Sequence, residues 1–132
     1  MLHNRDFNRG LDLFNRAHFF DSHEALEDVW RSVPQGEPLR RHLQGMVQLA
    51  VAFHHQSTGN YVGARSVLER ALRNLQGADR SFPALDLDSL RAELAPWREF
   101  LDGCLMAEPK NPAGQTNRRA KIPPLPKITP RG

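Results

Sequence analysis

Residues 1–106 predict an all-α fold, a single bundle of about five helices, and residues 107–132 predict a disordered, basic, proline-rich C-terminal tail. Three observations carry this. Apolar side chains recur every three or four residues in five successive stretches, with no stretch alternating as a strand would. Proline and glycine cluster between those stretches. Finally, residues 107–132 hold six of the ten prolines and no aromatic residue, too little apolar surface to offset the entropy of ordering.

The first helix is predicted from about Arg5 to Arg16, where Phe7, Leu11 and Phe14 form one stripe. The second begins at Asp21, read as an N-cap with Glu24 three residues on, and ends near Val33 before Pro34, Gly36 and Pro38. The third, Pro38 to Ser57, opens on a proline in its first turn, where no amide hydrogen is needed. Its "GMVQLAVAF" is apolar on nearly every face, as suits a central helix. Gly59 ends it and Asn60 caps the fourth, about Tyr61 to Gln76. Gly45 and Ala52 on the third helix, and Ala64 and Ala71 on the fourth, mark a close crossing of the two. The fifth helix, about Asp88 to Leu105, keeps the period of Leu90, Leu94, Trp97 and Leu101 through Pro96, so either a kinked helix or two short ones is expected.

Charge is unevenly placed. The chain carries a formal +3, yet residues 107–132 have six basic side chains against Glu108 alone, leaving residues 1–106 slightly acidic. A nucleic-acid or protein contact would therefore run through the tail, whose "IPPLPKI" favours polyproline II. No apolar run approaches the ~20 residues of a membrane span. The first residues lack an apolar signal core, and Cys104 is the only cysteine, so a cytoplasmic location is expected.

The candidate chemistry lies in "DSHEALEDVW". With about 100° per residue, His23, Glu27 and Trp30 share one stripe of the second helix. Gln44, Gln48, Val51 and His55 share one on the third. The short turn between these helices makes them antiparallel neighbours, which can bring His23, Glu27 and His55 together beside Gln48. Two histidines and a carboxylate would suit a divalent transition metal such as zinc, with one position open to water and metal-dependent hydrolysis as the enzymatic consequence. Alternatively, His23, Glu27, Gln48 and His55 satisfy one another in a buried hydrogen-bond network under Trp30, with no ion. A third reading makes the chain a scaffold or nucleic-acid adaptor acting through its tail. His3, His18 and His42 read as surface residues, and Trp97 and Phe100 as core. The H-E-x-x-H and Glu-x-x-His metal motifs, the glycine-rich phosphate loop and the nucleophile elbow are all absent.

"FFDSHEALEDVW" followed by "LQGMVQLAVAFHHQSTGNYVGARSVLERAL" resembles the bacterial and archaeal domain-of-unknown-function family 309, marked by His-x-x-x-Glu-x-x-Trp/Tyr, here His23, Glu27 and Trp30. That family's next block falls on Gly45, Gln48, His55, Gly59 and Asn60, and the resemblance covers roughly residues 5–76. His54 stands where the family often has tyrosine, which sets it outside the implied site. The resemblance implies an all-helical fold and a metal-binding motif, without an activity.

Overall fold

The computed structural model describes residues 5–106 and 122–132. Five α-helices follow one another: α1 (Arg5–Asn15), α2 (Phe19–Arg31), α3 (Pro38–Ser57), α4 (Tyr61–Asn74) and α5 (Leu87–Met106), with a short 3₁₀ turn at Ala78–Arg80 before the last. α3 packs against both α2 and α4, α1 packs on α2, and α5 on α4. Its central place follows from its composition: Leu43, Met46, Leu49, Ala50 and Phe53 are all essentially inaccessible. An aromatic cluster of Phe14, Phe19, Phe53 and Trp97 joins α1, α2, α3 and α5, its rings in edge-on or tilted contacts at 5.0–6.2 Å.

The small residues set the helix crossings. A Cβ placed on Gly45 would lie 2.8 Å from Leu75 Cγ and 3.2 Å from the Ala71 carbonyl, so α3 and α4 could not approach as they do with a larger residue. The same holds at Gly10, where a Cβ would meet Leu26 Cδ2 at 2.6 Å. Beside it, the buried Ser22 hydroxyl donates to the Gly10 carbonyl at 2.7 Å, tying α2 to α1.

Most helix ends match their signals. Gly59 adopts a positive φ of 84°, and Asn60 Oδ1 accepts from the Gly63 amide at 3.0 Å, capping α4. Several boundaries differ from expectation by one or two residues, among them the ends of α2 at Arg31 and α4 at Asn74 and the starts of α2 and α5. α2 starts at Phe19 rather than Asp21, because α1 ends in a tight reversal. Ala17 takes the left-handed conformation (φ 66°) and the His18 amide bonds back to the Leu13 carbonyl at 2.8 Å. Asp21 therefore sits inside the first turn, where its charge suits the helix dipole. α5 starts at Leu87, with Asp86 Oδ1 accepting from Ser89 N at 3.0 Å, and it runs through Pro96 as one helix.

The largest departure concerns the tail. Residues 107–121 lie outside the described residues, but 122–132 are described, and they pack on the bundle instead of being disordered. Ile128 is 3% exposed and Pro126 is buried. Residues 84–86 and 129–131 pair antiparallel, with Asp86 N donating to Thr129 O (2.8 Å) and Arg131 N to Ala84 O (2.7 Å). Residues 122–132 thus belong to the same folded body as residues 5–106. A polyproline-like strand makes no hydrogen bonds of its own, so its order depends on partners supplied from elsewhere in the chain.

Candidate functional site

His23 and Glu27 come together on α2 as their spacing predicts. His23 Nε2 lies 3.8 Å from Glu27 Oε1, and the two side chains are 22% and 31% exposed. Arg31, one turn further on, holds the same Glu27 oxygen at 3.3 Å. The other face of the imidazole is also engaged: Nδ1 lies 3.3 Å from the Phe20 carbonyl, a contact that requires Nδ1 to carry the proton. Nε2 is then left toward Glu27.

The α3 residues do not join this pair. His55 turns to the α3–α4 junction, where its Nδ1 lies 3.3 Å from Asn60 Nδ2 and its carbonyl accepts from the Asn60 amide at 2.8 Å. It braces the residue that caps α4. Gln48 accepts from Asn74 Nδ2 at 2.8 Å, so it faces α4 rather than α2. Gln44 lines an open cleft with Gln35, Glu37, Arg40, Arg41 and Asn74. Among the described residues no three His, Cys, Asp or Glu side chains are grouped to hold a metal ion. The expected His23–Glu27–His55 set, and with it the shared network through Gln48, is therefore not assembled. The physical reason is rotation about the α3 axis. The polar line of α3 is directed at α4 and the turns, through His55 to Asn60 and Gln48 to Asn74. The ring beside His23 is that of Phe20, 5.5 Å from it and 5.4 Å from that of His54.

Trp30 is half-buried against the core. The Arg40 guanidinium stacks on its ring at 4.3 Å and donates to the Val33 carbonyl at 2.5 Å, so one cation satisfies both the aromatic face and the C-terminal end of α2. The indole N–H of Trp30 is buried and has no partner among the described residues. What results is a half-open strip of Phe20, His23, Glu27 and His54, with Trp30 further along α2.

A second polar centre went unrecognised in the sequence. His42, expected at the surface, is 3% exposed, and its Nδ1 lies 2.6 Å from the Ser81 hydroxyl. Burial pushes its pKa below the ordinary value and the adjacent Arg41 cation acts in the same direction, against the Gln76 backbone and Asp79. Arg41 meanwhile donates to the carbonyls of Arg73 and Gln76, both at 3.1 Å, closing the end of α4. The signal for His42 was present: it lies three residues before Gly45 and one before Leu43, on the face that meets α4 and the following loop. Cys104 is partly buried, and that burial pushes its thiol upward, away from the thiolate.

Comparison with known proteins bears out the resemblance. Over 70 residues the chain is 36% identical to an uncharacterized protein, YpuF, of Bacillus subtilis (strain 168), an alignment covering 53% of this chain and 40% of that one. It is 28% identical over 81 residues to an uncharacterized protein of Aquifex aeolicus (strain VF5), covering 61% of this chain and 24% of the relative. The chain thus spans well under half the length of these relatives. Residues 7–67, from α1 into α4, match the family model described as Domain of unknown function (DUF309), and α2, which carries His23, Glu27 and Trp30, lies within that match.

Proposed function

We propose that this chain is a protein-binding module whose contact face is the aromatic and ionisable strip of α2 and α3. The observation that carries this is Phe20. It is 50% exposed, yet its ring is held between those of His23 and His54. A large aromatic fixed at the surface by two flanking rings loses little entropy when a partner covers it, and interfaces are enriched in such residues. The half-exposed His23–Glu27–Arg31 line beside it offers both signs of charge for orientation. Relatives in which the matching region makes up 40% and 24% of the length support a module set in different surroundings. No helix among the described residues is long and apolar enough to cross a membrane. A cytoplasmic setting remains part of this proposal, resting on the single cysteine.

Photo-crosslinking tests the face. A benzoylphenylalanine at position 20 should give specific adducts in cells that are lost with His23→Ala/Glu27→Ala, whereas the same probe at Val62, 66% exposed on α4, should not. Identical adduct patterns from both positions would refute the proposal.

One observation favours a reduced form of the metal reading. With Nδ1 engaged by the Phe20 carbonyl, His23 Nε2 and Glu27 Oε1 are two donors facing one another, and a backbone carbonyl on the far nitrogen is a common support for a ligating histidine. The residues present do not complete such a site, so a third ligand would have to come from a partner. Zinc titration of the isolated chain should then show no tight uptake. Tight stoichiometric uptake that is lost in His55→Ala would instead restore the three-ligand set and the hydrolase alternative. The adaptor reading now rests on Lys110, Arg118, Arg119 and Lys121, which lie outside the described residues.

A further inference from the structure

The seat of residues 122–132 is built like a peptide-recognition groove. Trp97, fully buried in α5, donates its indole N–H to the Pro124 carbonyl at 2.9 Å. Asn15, the last residue of α1, takes both main-chain groups of Ile128: Oδ1 accepts from its amide at 2.7 Å and Nδ2 donates to its carbonyl at 2.8 Å. Glu93 accepts from the Lys127 amide at 2.9 Å, and residues 84–86 supply a short antiparallel edge. Nearly every polar contact thus reads the main chain of residues 124–131, while Pro126 and Ile128, two apart on an extended strand, fill the apolar seats. Main-chain reading with alternate side chains in pockets, and an aromatic groove for a proline-rich strand, are two of the ways domains bind extended peptides. A side-chain contact from the segment, Lys127 Nζ on the Asn15 carbonyl at 2.8 Å, places a cation at the negative end of α1.

We propose that this groove is a peptide-binding site occupied in cis by residues 122–132, and that a partner protein enters it by displacing them. The partner segment carries the same chemistry: extended and proline-rich, a lysine or arginine at the position of Lys127, and a branched aliphatic residue at that of Ile128. A tethered segment competes at an effective concentration on the order of millimolar, so the groove is gated rather than permanently open. Since the polar contacts all fall within residues 124–131, a separate peptide can reproduce the whole set.

The probe is a fluorescein-labelled synthetic peptide of residues 122–132, read by anisotropy against the full chain. Ile128→Asp in the full chain unseats the internal segment, and this variant should bind the probe at least ~10-fold more tightly than the wild type. Adding Asn15→Ala should remove ~10-fold or more of that affinity, and a probe carrying Ile128→Asp should not bind. Equal binding by wild type and a folded Ile128→Asp variant, or none by either, would overturn the proposal. Should Ile128→Asp fail to fold, the wild type decides. Millimolar unlabelled peptide should shift the nuclear magnetic resonance signals of its own Ile128 and Thr129 to the positions of free peptide, and unchanged signals would overturn the proposal.

Discussion

The buried His42 should make this fold acid-sensitive in a way that one substitution removes. Its pKa is depressed by burial and by Arg41, so the folded protein keeps it neutral to lower pH than the unfolded chain does, where the ordinary value is about 6.5. A depressed folded value means that the unfolded state binds more protons once pH falls below 6.5. The stabilising contribution is therefore complete above that value and is lost as pH drops toward the folded pKa. For one group the slope cannot exceed ~1.4 kcal/mol per pH unit, so the loss between pH 6.5 and 5.5 is at most about 1.4 kcal/mol. His42→Gln keeps a polar group within reach of Ser81 but cannot titrate. Denaturant unfolding of both proteins from pH 8 to 5 is the assay. Above pH 7 the two curves should run parallel, with the variant lower by roughly 1–3 kcal/mol from altered packing and hydrogen bonding at a buried site. Below pH 6.5 the difference should narrow, because only the wild type pays the cost of charging an imidazole at that site. Curves that stay parallel down to pH 5 would show that His42 is protonated as readily in the folded state as in the unfolded one, refuting its placement against Ser81.

Two further predictions concern the backbone. Ala17 holds a left-handed conformation at the α1–α2 reversal, so Ala17→Gly should raise stability by about 1 kcal/mol; a lower denaturation midpoint would mean that this turn is not formed as described. Pro96 is exposed in the middle of α5 and withholds one amide donor from the helix. Pro96→Ala should stabilise by about 1–3 kcal/mol, less than the full propensity difference because the surrounding helix already accommodates the ring, and calorimetry should show a higher Tm.

Helix by helix, much of this molecule is written locally. Pro38 at the start of α3, Gly59 and Asn60 at its exit, and the three- and four-residue rhythm of each apolar face act over a few bonds. They give the same answer whatever the rest of the chain does. Gly45 could be read as a close-packing position for the same reason, and the His23–Glu27 contact follows from one turn of one helix. What those local rules do not contain is the rotation of one helix relative to the next. His55 and Gln48 share one face of α3 by their spacing, but only tertiary packing decides that this face looks to Asn60 and Asn74 rather than to His23. The burial of His42 is tertiary for the same reason: its partner Ser81 is 39 residues away and is brought over it by the loop after α4. The last residues show the limit most plainly. A segment such as "IPPLPKI" forms no hydrogen bonds within itself, so nothing local distinguishes a free tail from a seated strand. Asn15 and Trp97, more than 100 and 27 residues away, supply the missing partners, and only the assembled bundle puts them side by side.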